Sequence, residues 1–327
     1  MNVAVLIVNW NGGGLLRRCL QSLHSQRRKP DHIIVVDNAS TDDSLALAQH
    51  ELTNVEVIRL PSNVGFARAN NIAAAAAHRF DALALVNPDA FPEPDWLHAL
   101  MSSAEHAPRA VAAFASQMLL DATPEYLDGA GDSYHVSGRA WRNGHRAARA
   151  DWPKADCEVF AACAAAALYR RDAFEEAGGF DEQYFSYFED VDLGFRLRLR
   201  GYRCLYVHAA IVRHMGSALG GYRSNFAVYH GERNAVWTFV KNMPTPLLWL
   251  YLPQHLVLNV AALLYYPLRG QGGVVLKAKM DALRGIRLML RKRRLVQSAR
   301  SATVWSLRRA FRRGIGAPFV ARYSMPS

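Results

Sequence analysis

The sequence predicts an α/β fold, in which a mostly parallel sheet is covered by helices on both faces and is followed by a helical C-terminal region. Strand-like and helix-like segments alternate four times over about ninety residues, the pattern of parallel strands joined by crossover helices. The strand-like segments are continuously apolar, as expected for strands buried on both faces. With 327 residues, 51% of them hydrophobic, the chain is long enough for one large domain with an appendage, or for two domains.

The predicted elements of this first part follow one another closely. We expect strands at 3–8, 32–36, 55–58 and 82–86, with helices at about 15–26, from 40–43 onward, and after 63–71. Ser40 and Asp43 have capping-box spacing, which predicts that the second helix begins there.

Polar residues directly follow three of the predicted strands. They are Asn9, Asp37 and Asp89. Ligands bind beyond the carboxyl ends of the strands in parallel α/β sheets. Asn and Asp are also good turn residues, which would explain any one of the three alone. Their convergence on one edge of the sheet favours a binding site.

The middle of the chain has a less regular pattern. From about 119 to 158 the periodicity disappears, which predicts a long loop that lines an acceptor site. Residues 160–169 form a buried, alanine-rich segment, and 202–207 form a late strand shortly before His214.

A stretch rich in acids and aromatic residues follows at 180–196. Glu189, Asp190 and Asp192 lie within four residues, directly after an aromatic run, and begin a predicted helix that stops at Gly201. Acids in the first turn stabilise a helix, and this alone could explain them. Three acids beside aromatic walls favour a general base, which needs a charged carboxylate at an apolar site.

The net charge of +11 is confined to one segment. Residues 269–327 contain fifteen Lys or Arg and one acid, Asp281, so this segment carries +14 and the remainder carries −3. Anionic lipid and nucleic acid are the usual partners of such a tail. The four cysteines show no metal-binding or paired spacing, and the N-terminus lacks a secretory pattern, which predicts a reduced, cytosolic compartment.

An apolar run at 247–268 precedes the basic segment. It is about long enough to span a bilayer, but Pro253, Gln254, His255 and Asn259 interrupt it. The pattern favours helices that lie in the membrane interface with basic residues toward anionic headgroups. The alternative is a helical subdomain packed on the core with a solvated basic face. We therefore predict a catalytic domain at 1–242 and a membrane-associating helical region at 243–327.

Several motifs together resemble the family 2 glycosyltransferases, which have the GT-A fold, and especially their bacterial rhamnosyltransferase-like branch. The resemblance covers roughly residues 2–216, and the order and spacing of the motifs make it specific. The motifs are Ile7-Val8-Asn9-Trp10-Asn11, Val36-Asp37-Asn38-Ala39-Ser40-Thr41-Asp42, Asn63-Val64-Gly65-Phe66-Ala67, Asn87-Pro88-Asp89, Gly179-Phe180-Asp181-Glu182, Phe188-Glu189-Asp190-Val191-Asp192-Leu193 with Arg196, and Val212-Arg213-His214.

The resemblance implies a role for each matching residue. Asp89 would hold a divalent cation, Mg²⁺ or Mn²⁺, which neutralises the donor diphosphate, and His214 would be a second ligand of that cation or a phosphate contact. Asp190 would take the proton from the acceptor hydroxyl, in a direct displacement that inverts the anomeric configuration. The donor-binding residues would be Asn9, Asp37, Asn63, Arg68, Asn70, Asn87 and Asp89, and the acceptor side would hold Glu189, Asp192 and Arg196.

The resemblance also implies the partners. The donor is a nucleotide-diphosphate sugar, with dTDP-L-rhamnose as the best guess and UDP-galactose or UDP-N-acetylglucosamine as the alternative. The acceptor is a hydroxyl of a lipid-linked or polysaccharide glycan in cell-surface glycan synthesis. The enzyme would sit peripherally on the cytoplasmic side of the inner membrane, against its anionic surface.

Two rival functions were weighed against this one. A dinucleotide-dependent oxidoreductase is disfavoured because no G-x-G-x-x-G follows the first strand. A non-enzymatic nucleic-acid-binding protein would use the basic tail with its aromatic residues Trp305, Phe311 and Phe319. The near-neutral body and the carboxylate stretch argue against it, so no nucleic-acid partner is expected.

Overall fold

The computed structural model describes residues 1–216 and 224–314. They form a ten-stranded mixed sheet with helices on both faces, a two-stranded sheet, and a C-terminal group of helices. The end of the basic segment, including Phe319, lies outside the described residues.

The strands are β1 (Val3–Asn9), β2 (His32–Asp37), β3 (Glu56–Arg59), β4 (Ala82–Val86), β5 (Ala90–Pro92), β6 (Val111–Leu120), β7 (Thr123–Ala130), β8 (Asp132–Tyr134), β9 (Ala140–Arg142), β10 (Cys157–Val159), β11 (Ala166–Arg170) and β12 (Arg203–His214). The helices are α1 (Gly14–His24), α2 (Ser44–Leu47), α3 (Phe66–Ala76), α4 (Trp96–His106), α5 (Arg171–Glu176), α6 (Glu189–Leu199), α7 (Asn225–Asn242), α8 (Thr245–Tyr265), α9 (Gly272–Arg284), α10 (Ile286–Ser298) and α11 (Val304–Ala310).

The main sheet has the strand order β10-β12-β6-β11-β4-β1-β2-β3, with β5 on β12 and β7 on β6. The first four predicted strands are parallel to one another, as the sequence indicated. The strand β11 lies between β4 and β6 and is antiparallel to both, so that half of the sheet is mixed. The carboxyl ends of β1, β2 and β4 therefore meet at one edge.

Alternate residues of β1 supply two separate cores. Ala4, Leu6 and Val8 pack on the face covered by α3, while Val3, Val5 and Ile7 pack on the face covered by α1 and α4. A strand buried on both faces has to be apolar at every position, which explains the uninterrupted run in the sequence.

The prediction that the second helix begins at Ser40–Asp43 was wrong. The helix α2 begins at Ser44 and has four residues, and Asp43 makes no side-chain capping bond. The hydroxyl of Ser40 instead accepts hydrogen bonds from the Asn9 side chain and from the Asn11 backbone N–H. Ser40 thus joins two loops at the sheet edge.

The prediction of a long loop at 119–158 was also wrong. The segment contains β7, β8, β9 and the start of β10, with a single 3₁₀ turn at Arg149–Asp151. These strands are short and carry polar residues that face inward, so the apolar alternation that identifies a strand is missing. The late strand predicted at 202–207 is real but continues to His214.

The helix α6, which carries the three acids, is buried along almost its whole length between the sheet and α7. Asp192 accepts hydrogen bonds from Tyr184 Oη at 3.1 Å and from Asn242 Nδ2 at 2.7 Å, and it pairs with Arg196 at 2.8 Å and Lys241 at 2.7 Å. Burial alone would raise its pKa, but Arg196 and Lys241 hold the pKa of Asp192 below its ordinary value. This network fixes α6 to α7.

Contacts cross the proposed division at 242/243 in several places. The Lys292 ammonium of α10 pairs with Asp181, and Trp237 Nε1 of α7 donates to the Ala282 carbonyl at 3.0 Å. Phe311 packs with aromatic residues of the catalytic core. The C-terminal helices thus share a core with α6 and α7, and the division stays a prediction.

Candidate active site

The ends of β1 and β2 form a buried polar corner. Asn9 and Asp37 lie opposite each other in the strand register, and Asn9 Nδ2 donates to Asp37 Oδ1 at 3.0 Å. The same amide lies 3.1 Å from Ser40 Oγ and 2.9 Å from Ser44 Oγ, which fixes its orientation. Asn9 Oδ1 is buried and has no hydrogen-bond partner within 1–216 and 224–314. The corner thus offers a fixed carboxylate and an unused acceptor.

Glycine and asparagine residues close the loops around this corner. A Cβ on Gly12 would lie 2.4 Å from Asn9 Oδ1, so the loop can approach Asn9 only with glycine there. Asn63 Oδ1 accepts from Asn38 Nδ2 and from the Gly65 N–H, both at 2.9 Å. Asn63 is therefore connected to the β2 end through Asn38.

The other two residues predicted on α3 lie in different surroundings. Asn70 is buried, and its amide donates to the Phe66 carbonyl one turn earlier at 2.9 Å. Arg68 is largely exposed, with Nε 3.7 Å from Glu182 Oε2. Their assignment to the donor stays a prediction.

A second corner joins Asp89 to the end of β12. His214 Nε2 lies 3.4 Å from Asp89 Oδ1, and His214 Nδ1 lies 2.8 Å from Asp128 Oδ2. All three side chains are buried. Burial opposes protonation of the imidazole, but the hydrogen bonds to Asp128 and Asp89 raise the pKa of His214 to about 9. The ring therefore donates to a carboxylate on each side at neutral pH.

Asp128 was missed by the sequence reasoning because it lies in the supposed loop. In the β6–β7 pairing, Met118 lies opposite Gly129 and Leu119 opposite Leu127, so Asp128 is the extra residue of a β-bulge. A bulge turns the side chain of its extra residue away from the normal alternation, and bulges are common beside active sites. The neighbouring Gly129 was the available signal.

The donor set of this corner fits a divalent cation. Asp89 supplies a carboxylate oxygen, and His214 supplies its Nε2 atom. The other ring nitrogen of His214, Nδ1, is held by the Asp128 carboxylate, an arrangement typical of metal-ligating histidines. Ligation would require Nε2 to lose its proton. Asn87 is half-buried beside Asp89, with its backbone bonded to the Ala165 carbonyl at 2.9 Å.

Arg142 connects the corner formed by Asp89, Asp128 and His214 to Asp190. Its guanidinium pairs with Asp128 and interacts electrostatically with Asp89, Asp132 and Asp190. Although burial opposes ionisation of Asp128, Arg142 and the histidines hold the pKa of this carboxyl well below its ordinary value. Arg142 too comes from the supposed loop. The structure thus brings Asp89, His214 and Asp190 to one region.

The carboxyl groups around Asp190 differ in burial. Burial and the nearby Asp190 raise the pKa of both Glu189 and Asp132 well above their ordinary values, so their surroundings disfavour the charged form. Asp190 is half-buried and its two oxygens are fixed by the Ala164 N–H at 3.1 Å and its neighbour Val191 N–H at 2.8 Å. Of the three, Asp190 is the one that reaches the surface in a fixed orientation.

The side chains of Asp190, Asp132 and Cys163 have their ligand atoms within 4.8 Å of one another, close enough to hold an ion. Burial raises the pKa of the Cys163 thiol well above its ordinary value, as it does for Asp132. Burial thus disfavours the ionised forms of both groups, which are the forms that ligate a cation. At the other corner, hydrogen bonding to His214 lowers the pKa of Asp89 despite its burial, so the Asp89–His214 corner is the stronger candidate for a cation.

The other two residues predicted on the acceptor side lie in the interior. Asp192 is fully buried in the network that joins α6 to α7. Arg196 pairs with it and donates to the carbonyls of Ala177 and Gly179. Their placement indicates that they position α6, and a direct acceptor contact stays a prediction.

The raised pKa of Glu189 gives a pH-dependent prediction. A carboxyl with a raised folded pKa binds a proton that the unfolded chain releases, so its contribution to stability falls as the pH rises above about 4.5. We expect Glu189→Gln to be more stable than wild type at pH 8, with the advantage growing by at most about 1.4 kcal/mol per pH unit from pH 5. Urea unfolding at several pH values measures this, with the exposed Glu125→Gln as control. A constant difference would contradict the assignment.

Comparison with known proteins gives the family. The model of glycosyl transferase family 2 matches residues 4–178. The chain is 28% identical to the N-acetylglucosaminyl-diphospho-decaprenol L-rhamnosyltransferase of Mycobacterium tuberculosis, over 78% of this chain and 92% of that protein. It is 26% identical to the O-antigen chain rhamnosyltransferase RfbN of Salmonella typhimurium, over 65% of this chain and 66% of that protein.

Solved structures agree on the fold. The structure of GalNAc-T7 with UDP, GalNAc and Mn²⁺ superposes with a TM-score of 0.59 at 18% identity, over 74% of this chain and 48% of that one. The GT-A-type fold expected from the sequence is confirmed. Since the family model covers more than half of the chain, this protein belongs to glycosyltransferase family 2 and is a glycosyltransferase.

Proposed function

We propose that this glycosyltransferase transfers L-rhamnose from dTDP-L-rhamnose, with inversion and with a divalent cation, to a hydroxyl of a lipid-linked acceptor. The observation that carries the proposal is the connection of the Asp89–His214 corner to Asp190 through Arg142. A cation site and a fixed carboxylate in one region are what a donor diphosphate and an acceptor hydroxyl require. The names of the two relatives support rhamnose, and the first supports a diphospho-lipid acceptor.

The donor is bound in two places. Asp37 accepts the imide N–H of a pyrimidine, and Asn9 fixes the Asp37 carboxylate for that bond. Asp89 and His214 hold Mg²⁺ or Mn²⁺, which supplies positive charge against the diphosphate when bound. UDP-galactose and UDP-N-acetylglucosamine carry the same imide and diphosphate, so they are the alternative donors.

The transfer is a single displacement. The acceptor oxygen attacks the anomeric carbon as its proton moves to Asp190, and the bond from that carbon to the diphosphate oxygen breaks. The nucleoside diphosphate leaves with the electron pair. The backbone N–H groups of Ala164 and Val191 orient the Asp190 carboxylate for this proton transfer.

The first test is donor binding. We expect dTDP-L-rhamnose to raise the melting temperature only when Mg²⁺ or Mn²⁺ is present, since binding to the folded state alone stabilises it. Asp89→Asn should abolish the cation-dependent shift, whereas the exposed Asp95→Asn should retain it. Full turnover in excess EDTA would contradict the cation requirement. A shift with UDP-sugars but none with dTDP-L-rhamnose would select the alternative donor.

The second test separates the acids of α6. Asp190→Asn keeps the shape of the side chain but accepts no proton, so we expect turnover to fall about a hundredfold or more with donor binding nearly intact. Glu189→Gln should cost less, because burial raises the pKa of Glu189 and so disfavours the charged form that a base needs. Asp192→Asn should act through the position of α6. Near-normal turnover of Asp190→Asn together with an inactive Glu189→Gln would show that the wrong carboxylate has been named.

The C-terminal region is proposed to hold the enzyme on the cytoplasmic membrane surface. The segment Thr245–Arg269 is long and apolar enough to cross a membrane. Its most apolar 18 residues have a mean hydropathy of 1.6, and 17% of them are buried. Length and composition alone do not separate spanning from surface binding. Its exposed apolar side chains are Trp249, Leu250, Leu256, Val257, Val260, Leu264, Tyr265 and Leu268.

The middle of α8 is tied to the catalytic body, which favours surface binding. His255 stacks on Phe239 with ring centroids 4.0 Å apart, and its Nδ1 lies 2.8 Å from the Ser137 carbonyl oxygen. A helix held at its centre by a soluble domain would have to break these contacts to span a bilayer. Exposed leucines of α9 and several arginines lie on the neighbouring helices and would face the same headgroup layer.

Vesicle sedimentation tests the attachment. We expect the full chain to bind vesicles with anionic lipid and to release as salt rises. Val257→Glu with Leu264→Glu should weaken binding at least about tenfold, because each removes apolar surface from the bilayer. Leu47→Glu, an exposed leucine on α2, is the matched control. Wild-type protein that stays in the supernatant at low salt would favour a purely packing role for the C-terminal helices.

A further inference from the structure

An aromatic loop before α6 adopts an unusual backbone conformation. Phe185, Tyr187 and Phe188 have φ angles of +66°, +66° and +68°, in the left-handed region that favours glycine. Such residues cost about 1–3 kcal/mol each and occur where the surroundings enforce them, often at functional sites. The loop therefore holds its aromatic side chains at a cost in stability.

Helix α7 enforces this conformation. The fully buried Asn234 amide donates to the carbonyls of Tyr184, Ser186 and Tyr187 at 3.1, 3.0 and 2.7 Å. Arg233 also donates to the Tyr184 carbonyl, at 2.9 Å. These bonds satisfy the carbonyls that the turn leaves without regular partners, so the loop is rigid before any ligand arrives.

The loop and α7 together form an aromatic shelf, which we define as Phe185, Tyr187, Phe226 and His230. Phe226 lies with its ring centroid 4.4 Å from His230, 6.0 Å from Tyr187 and 6.2 Å from Phe185. His230 stacks on Phe185 at 5.4 Å, and burial lowers its pKa to about 4, so the shelf is uncharged at neutral pH. Phe226 is 44% exposed.

The shelf borders the proposed reaction site. Tyr187 precedes Asp190 by three residues, and its phenol interacts electrostatically with Glu189, Arg142 and Asp89. At the other end, Phe185 covers the donor segment: a Cβ on Gly65 would lie 2.6 Å from the Phe185 ring. The shelf therefore extends from the donor segment at Phe185 to the charged groups near Tyr187, and Phe226, which contacts both rings, is open to solvent.

We infer that this shelf is the binding subsite for the pyranose ring of the acceptor, whose C–H face stacks on Phe226 and Tyr187. The inference rests on the proposed function for the role of Asp190. A sugar ring offers an apolar C–H face to aromatic rings and hydroxyls along its edge, and here the edge would face the acids and Arg142. Tyr187 precedes Asp190 by three residues, so a ring that stacks on the shelf lies next to the segment that carries this carboxylate.

Saturation-transfer NMR tests the shelf without the donor or turnover. With aromatic protons of the full-length protein irradiated, methyl N-acetyl-β-D-glucosaminide should receive saturation at its axial ring protons. Phe226→Ala should reduce this transfer at least about fivefold, Phe226→Trp should retain it, and Tyr126→Ala, which alters an aromatic side chain of similar exposure, should leave it unchanged. Equal transfer to wild type and Phe226→Ala would overturn the inference, as would transfer to neither.

Two further measurements separate other occupants of the shelf. In turnover assays, Phe226→Ala should raise the acceptor KM about tenfold with kcat and the donor-induced melting shift nearly unchanged. Loss of the donor shift would instead assign the shelf to the donor and overturn the inference. A wild-type enzyme that shows saturation transfer but no rhamnosyl transfer would refute the proposed donor and leave the shelf assignment standing.

Discussion

The buried charge of Asp192 is the constraint on which the active-site arrangement depends. This carboxylate has no access to water. Its negative charge is stabilised by ion pairs with Arg196 and Lys241 and by hydrogen bonds from Tyr184 and Asn242. Removing one partner from such a buried pair typically costs about 3–5 kcal/mol, because the remaining charge is left unpaired. The network therefore requires α7 to pack on α6, and this packing fixes the position of Asp190 in the first turn of α6.

The same low-polarity surroundings separate the acids into roles. Glu189 and Asp192 lie three residues apart, yet burial raises the pKa of the first while Arg196 and Lys241 hold the pKa of the second below its ordinary value. Burial also raises the pKa of Asp132. Asp190 differs in being half-buried, with both oxygens held by backbone N–H groups. Environment, rather than residue type, thus distinguishes acids that are equivalent in the sequence.

The basic C-terminal segment is partly used inside the protein. Lys292 pairs with Asp181, Lys279 pairs with Glu232, and Arg293 donates to the Val240 and Met243 carbonyls. Other basic residues remain on the outside, and α8 exposes apolar side chains. The C-terminal helices thus have a packed face and an exposed face, so packing on the core and the proposed membrane attachment are compatible.

The sequence by itself determined the elements whose pattern is local. Local patterns identified the apolar runs of β1, β2 and β4, the acids at the start of α6 and the polar residues after the strands. Each of these features depends only on residues that are neighbours in the sequence. The tertiary structure alone decided which side chains meet. Asp128 reaches His214 through a bulge, Arg142 reaches Asp190 from a hairpin with no apolar alternation, and Asn234 shapes a loop about fifty residues earlier. Contacts between residues far apart in sequence depend on the packing of whole elements, which no local pattern records.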